Sequence, residues 1–119
     1  MDPNVVFFVS VFGAILSLGV SGYYYYAAFD QARLRFPAPL QEELAARFAF
    51  DTFIWAESVP ASARRDYLRS HVYACVAFVS ILAVAIERGP PIAALLFGTI
   101  SLIAVVATLR CWSKYRRRL

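Results

Sequence analysis

The sequence has few of the residues from which catalytic sites are built. Its 119 residues include one histidine and two cysteines, and the cysteines, Cys75 and Cys111, lack the CxxC spacing of redox and zinc sites. An HExxH motif, a glycine-rich phosphate loop, an internal repeat and a usable Ser-His-Asp set are also missing. These absences predict a protein that is not an enzyme and has no metal site.

Charged residues are absent from three long stretches, residues 5–29, 70–86 and 89–109. As helices they would measure about 37, 26 and 32 Å, against about 30 Å for the hydrocarbon core of a bilayer. Hydrophobic residues make up 61% of the chain, more than one small soluble core would bury. The sequence therefore predicts an all-α integral membrane protein with three transmembrane helices. Without a charge at mid-depth, a proton-coupled pump is not expected.

We expect a single membrane domain over residues 1–119. The turn ERGPP leaves few residues between the second and third spans, which predicts a tight antiparallel hairpin. Ser62 is the expected N-cap of the helix that contains the second span, and Gly89 is its expected C′ residue. The predicted segments are a first span at about 5–29, a cytoplasmic loop with an interfacial helix at about 30–69, a second span at about 70–88, a third span at about 91–112 and a basic cytoplasmic tail at 113–119.

Basic residues are concentrated in two of the connections. Six lie in residues 30–69 and five follow from Arg110 onward, whereas the N-terminal MDPN has none and the ERGPP turn has only Arg88. Cytoplasmic connections carry the excess of basic residues, so we expect a periplasmic N-terminus and a cytoplasmic C-terminus. Nothing basic precedes the first span, which favours a retained helix over a signal peptide. The preference for Arg over Lys and the many Ala residues favour a bacterial inner or intracytoplasmic membrane.

Tyrosines and basic residues near the span ends are expected at the level of the lipid headgroups. Four consecutive tyrosines close the first span, a position typical of the aromatic belt. They turn through about 300° of a helix, so at least one ring should face a neighbouring helix. Lipid contact also explains the basic tail better than nucleic acid does. The residues assigned to headgroups are Tyr23, Tyr24, Tyr25, Tyr26, Arg64, Arg65, Arg69, Lys114, Arg116, Arg117 and Arg118.

The loop FPAPLQEELAARFAFDTFIWAESVP, residues 36–60, predicts a short helix from about Leu40 to Glu57. Its apolar residues lie on more than one face. One interpretation is a helix in the cytoplasmic interface, with one side in the headgroups and another against the second span. The other is docking on a partner protein, because aromatic residues are enriched in binding cores. The docking residues would be Phe48, Phe50, Phe53, Ile54 and Trp55.

Small residues recur along the first and third spans, where close helix approach in a membrane requires them. Two uses are open: packing inside a three-helix bundle, and packing against another integral membrane subunit. The residues concerned are Gly13, Ser17, Ser21, Ala94, Gly98 and Ser101.

His71 is the one candidate cofactor residue. It is predicted at the cytoplasmic border of the second span, and a neutral imidazole can ligate haem iron or a chlorophyll magnesium. A polar residue at headgroup level is the simpler interpretation. We expect that the protein requires no cofactor. The alternative is a bound lipid, pigment or quinone near His71 or the tyrosines.

Three functional hypotheses follow. The preferred one is a non-catalytic accessory or structural subunit of a larger bacterial membrane complex, energy-transducing, photosynthetic, respiratory or transport. The second is a membrane module that binds haem, pigment or quinone. The third is a stand-alone stress or regulatory protein. Residues 1–90 loosely resemble the layout of universal stress protein B-type small membrane proteins, without a diagnostic motif. In this layout a span is followed by an aromatic loop, the segment RRDYLRSH and a further span.

Overall fold

The computed structural model describes residues 2–117, which form helices and no strand. The four α-helices are α1 (Pro3–Ala32), α2 (Glu43–Phe53), α3 (Ala61–Arg88) and α4 (Pro91–Arg117). Two short 3-10 helices, Arg33–Arg35 and Ala38–Leu40, connect α1 to α2. Helices α1, α3 and α4 are each long and apolar enough to cross a membrane. The prediction of an all-α chain with three helices of transmembrane length is therefore confirmed.

The helix ends show how the local sequence starts and stops each element. Asp2 caps α1 by accepting a hydrogen bond from the Asn4 amide at 2.9 Å, and Pro3 occupies the first turn, where its missing N–H costs nothing. Helix α2 is shorter than the predicted 40–57. Glu42 caps it through both carboxylate oxygens, and regular helix ends at Phe53.

Two predicted caps of α3 are wrong. The helix begins at Ala61, directly after Pro60, and Ser62 lies inside it with its hydroxyl donated to Gln31 Oε1 at 2.6 Å. Gly89 is extended rather than left-handed, and its amide donates to the Ala85 carbonyl. Glycine is needed there because a Cβ atom would lie 2.9 Å from that carbonyl oxygen. Gly89 therefore does not have the predicted C′ role, but it allows a close backbone approach at the turn into α4.

Helix α3 lies between α1 and α4 and runs antiparallel to both. Ser21 Oγ of α1 donates to the Ser70 carbonyl at 2.7 Å, and Ser101 Oγ of α4 donates to the Phe78 carbonyl at 3.1 Å. Helices α1 and α4 make few direct contacts with each other. The three long helices therefore form a layer with α3 in the middle, in which the outer faces of α1 and α4 stay uncovered.

The buried core lies at one end of this layer, where α1 ends, α3 begins and α4 ends. Phe50 and Ile54 from the α2 region and Val59 from the following loop are its most deeply buried large side chains. Elsewhere the long helices expose most of their large apolar residues, as expected for helices solvated by lipid. All basic residues described except Arg88 belong to segments at the end that holds the core.

Candidate functional site

A groove of about 500 Å³ opens between α3 and α4 at the end of the molecule that holds the core. Helix α4 supplies most of its wall, α3 supplies two aromatic rings and α2 supplies a carboxylate. The lining residues are Asp51, Tyr67, His71, Leu102, Ile103, Val106, Ala107, Arg110, Cys111 and Lys114. Apolar, aromatic and charged side chains of three helices meet in this groove.

Asp51 joins the three helices at the wide end of the groove. Its Oδ1 accepts a hydrogen bond from the Tyr67 hydroxyl at 2.9 Å, and its Oδ2 lies 3.8 Å from Lys114 Nζ. Sequence reasoning did not single out Asp51 or Tyr67, because an isolated Asp and Tyr far apart in sequence leave no spacing signal. Only the packing of α2 across the end of α3 brings them together.

His71 lies one turn deeper along α3 than Tyr67. The two rings meet edge to face with their centres 4.7 Å apart. The His71 Nε2 atom is buried and has no hydrogen-bond partner among residues 2–117, while the His71 carbonyl accepts from Thr108 Oγ1 at 3.2 Å. A buried polar atom without a partner costs free energy, and the Nε1 atom of Trp55, outside this groove, is in the same condition. The predicted candidate residue thus lies in a groove wall.

The cysteines and acidic residues add no metal site to this groove. Cys75 and Cys111 are both free thiols, and only Cys111 lines the groove. Within residues 2–117, no group of three or more His, Cys, Asp or Glu side chains is placed to hold a metal ion.

Phe50 is the centre of an aromatic cluster that fixes α2 on α1 and α3. Its ring centre lies 5.1 Å from that of Tyr67, 5.5 Å from that of Tyr25 and 5.7 Å from that of Phe29. These distances are typical of favourable aromatic pairs. The cluster closes one side of the groove, because Tyr67 belongs to both.

Most of the predicted docking residues are used in this cluster. Phe50, Ile54 and Trp55 are buried and Phe53 is half-buried, so their apolar surface already packs inside the chain. The prediction that all five present a docking surface is corrected accordingly. Phe48 alone is exposed, at 84% of its surface.

The four consecutive tyrosines divide between two environments. Tyr24 stacks on Tyr73 of α3 with ring centres 5.8 Å apart, and Tyr25 packs on Phe50. Tyr23 and Tyr26 are exposed on the side of α1 away from α3. Tyr24 and Tyr25 therefore face neighbouring segments of the chain, Tyr26 is exposed but contacts Arg47 of α2, and Tyr23 is the most exposed of the four.

The basic residues assigned to headgroups are also divided. Arg64 donates to the carbonyls of Ala56 and Val59, both at 3.2 Å, and so closes the loop before α3. Lys114 faces Asp51, whereas Arg69 lies over the Tyr24 ring with its Cζ atom 5.5 Å from the centroid. Exposed side chains without such a role are Arg65, Arg116 and Arg117. Arg118 lies outside the described residues.

Arg47 of α2 faces the exposed part of the tyrosine row. Its Cζ atom lies 5.3 Å from the Tyr26 ring centre, and its Nη2 donates to Glu43 Oε1 at 3.1 Å. The Tyr26 side chain first, and the Glu43 carboxylate second, raise the pKa of the Arg47 guanidinium. Through these contacts the Arg47 guanidinium holds α2 beside the end of α1.

The small residues of the spans also have different surroundings. Ser21 and Ser101 bind α3 carbonyls, and a Cβ atom on Gly98 would meet Leu82 of α3 at 3.8 Å. Ala94 and Ser17 are half-buried. A Cβ atom on Gly13 would have nothing within 4 Å, and the same holds for Gly19 and Gly22.

Comparisons with protein-family models, with curated proteins and with solved structures found no match for this chain.

Proposed function

We propose that this protein is a non-catalytic accessory subunit of a larger membrane protein complex in a bacterial inner or intracytoplasmic membrane. Helices α1, α3 and α4 cross the bilayer, with α3 and α4 as a transmembrane hairpin. The N-terminus is periplasmic, the C-terminus is cytoplasmic, and α2 lies in the cytoplasmic interface. The uneven distribution of basic residues between the two ends of the molecule supports this orientation, because these residues cluster where α1 and α4 end and α3 begins.

The observation that carries the proposal is the uncovered outer face of α1. Gly19 lies on the side opposite α3, and a Cβ atom there would have nothing within 4 Å. Gly13 is half-buried, but a Cβ atom there would also have nothing within 4 Å, and it borders an apolar depression that Phe8, Val9 and Phe12 also line. None of this small-residue surface is used by α3 or by the described part of the loop.

Lipid contact does not require glycine at these positions. A glycine inside a helix costs about 1 kcal/mol relative to alanine, and acyl chains pack as well against larger apolar side chains. A second helix, in contrast, needs small residues to approach closely. The proposed occupant is therefore a transmembrane helix of another integral membrane subunit.

The test introduces bulk where the chain itself has room. Gly13→Leu and Gly19→Leu should leave the fold intact but release the protein from its complex on size exclusion in mild detergent. Ala83→Leu is the matched control, because Ala83 is exposed on another helix. The proposal is overturned if the unaltered protein, extracted gently from its native membrane, migrates at its own small mass, or if Gly19→Leu stays in the particle.

Gly98→Leu is expected to act differently from the α1 variants. Gly98 faces Leu82 inside the chain, so added bulk there should disturb the packing of α4 on α3. Its effect should appear as lower thermal stability of the purified protein, whether or not a partner is present.

A second candidate function is a module that binds a haem, a chlorophyll-type pigment or a quinone at His71. The unpartnered Nε2 atom in the groove wall favours it. An absorption spectrum of protein purified from its native membrane tests the haem and pigment versions. A visible band that disappears in His71→Ala would support them, and the absence of a band would exclude them.

A further inference from the structure

The groove between α3 and α4 changes in character along its length. Its lining follows one stripe of α4 from Leu102 to Lys114, which at 1.5 Å per residue is about 18 Å. The deep part is apolar, formed by Leu102, Ile103 and Val106. The outer part is charged, formed by Arg110, Lys114 and Asp51. Such a gradient fits a molecule with a long apolar portion and a polar head.

The charges of the outer part favour an anionic head. Arg110 and Lys114 supply two cations, whereas Asp51 supplies one carboxylate that already accepts from Tyr67 and faces Lys114. No described residue forms an ion pair with Arg110. A neutral ring-shaped head would leave this excess positive charge unused, but a phosphate would balance it.

His71 supplies a hydrogen-bonding atom at intermediate depth. Its carbonyl is level with Thr108, about one helical turn deeper than the midpoint between Arg110 and Lys114. The buried Nε2 atom is unpartnered among the described residues and lies between the charged and the apolar parts of the groove. In a glycerophospholipid, the ester carbonyls likewise lie between the charged phosphate and the apolar acyl chains.

We infer that the groove binds one anionic glycerophospholipid of the leaflet that faces the α2 end of the molecule. Arg110 and Lys114 hold the phosphate, and the neutral imidazole of His71 donates from Nε2 to an ester carbonyl. One acyl chain lies against Leu102, Ile103 and Val106. This site requires the membrane placement given above but not the partner complex, so it is testable on the isolated protein.

The test is native mass spectrometry of the delipidated protein titrated with phosphatidylglycerol. Unaltered protein should retain one lipid at low lipid concentration. Arg110→Gln with Lys114→Gln should weaken retention about thirtyfold, from two cations near a lipid headgroup. His71→Leu should weaken it about fivefold, from one lost hydrogen bond. The matched control is Arg65→Gln with Arg116→Gln, which removes the same charge at exposed positions outside the groove and should retain the lipid.

Cysteine alkylation provides a second measurement that reports the location of the lipid. Val106 lines the groove and is exposed, whereas Val79 is exposed elsewhere on α3, so bound phosphatidylglycerol should slow the reaction of N-ethylmaleimide with the thiol introduced by Val106→Cys relative to that introduced by Val79→Cys. A variant is compared only if its Cys75 and Cys111 react at unaltered rates without lipid, which shows that the fold is retained. If the double variant fails this criterion, His71→Leu provides the test. The inference is overturned by equal lipid loss in the groove and control variants, by an unchanged alkylation rate of Val106→Cys on lipid addition, or by preferential retention of a quinone.

Discussion

Tyr67 of α3 donates a hydrogen bond to Asp51 of α2 over 2.9 Å, and this bond ties the loop between two long helices to the end of the helix layer. Asp51 also faces Lys114 of α4, so one carboxylate connects three helices. Phe50, Ile54 and Val59 of this region are part of the buried core, and Asp51 lies at the charged end of the groove.

Tyr67→Phe tests this bond without changing the packing of the ring. The variant should lose about 1 kcal/mol of stability, below the usual contribution of a bond to a charged group because 56% of the Asp51 side chain is exposed to solvent. Thermal unfolding in detergent measures the loss. In an Asp51→Ala background, the same change should have almost no further effect, and an additive loss would show that the two residues are not coupled.

Phe50→Ala and Phe48→Ala compare two neighbouring phenylalanines of α2 with opposite surroundings. Phe50 is buried at the centre of the aromatic cluster, so its truncation should cost about 3 to 5 kcal/mol. Phe48 is exposed, and its truncation should cost almost nothing in the isolated protein. Limited proteolysis in the loop measures both. Rapid cleavage of Phe48→Ala would contradict the position assigned to α2.

Ser21→Ala removes the hydroxyl that binds the Ser70 carbonyl between α1 and α3. Hydrogen bonds between helices in membranes contribute about 0.6 kcal/mol on average, so the expected loss is of that size. Ser17→Ala is the comparison, because no hydrogen bond between helices is found for Ser17 within the described residues. Unfolding in mixed micelles resolves the two, and equal losses would count against the Ser21 contact.

The orientation is tested by reporter enzymes. A fusion after Leu119 should be active only with a reporter that works in the cytoplasm, because the segments around that end carry the basic excess. Replacing Arg110, Lys114, Arg116 and Arg117 with Gln should weaken this preference. Periplasmic activity of the unaltered fusion would invert the proposed topology.

The sequence identified the three long apolar helices, because a stretch of 17 or more residues without charge has few other stable environments. It did not identify the end of α2 or the caps of α3. Helix α3 begins directly after Pro60 without a side-chain cap, and Gly89 ends it where a Cβ atom would lie 2.9 Å from the Ala85 carbonyl oxygen. Residue preferences locate helix ends only to within one or two residues.

The site shows the same division. His71 was found from its type alone, since a single histidine near a span end is conspicuous. Its neighbours Asp51, Tyr67 and Lys114 were not grouped with it. One of the two interpretations of the loop helix placed Phe50, Ile54 and Trp55 on a partner, although they pack inside the chain. Side chains far apart in sequence meet only after α2 has folded back on α1 and α3.

By itself, the sequence determined which segments of this protein are long and apolar enough to cross a membrane, because hydropathy and charge are properties of each segment independently of its neighbours. The tertiary structure alone decided which aromatic faces of α2 are buried, which glycines of α1 remain uncovered and that a charged, histidine-bearing groove separates α3 from α4. Those features depend on how the faces of different helices are paired, and pairing is a property of the packed chain rather than of any one segment.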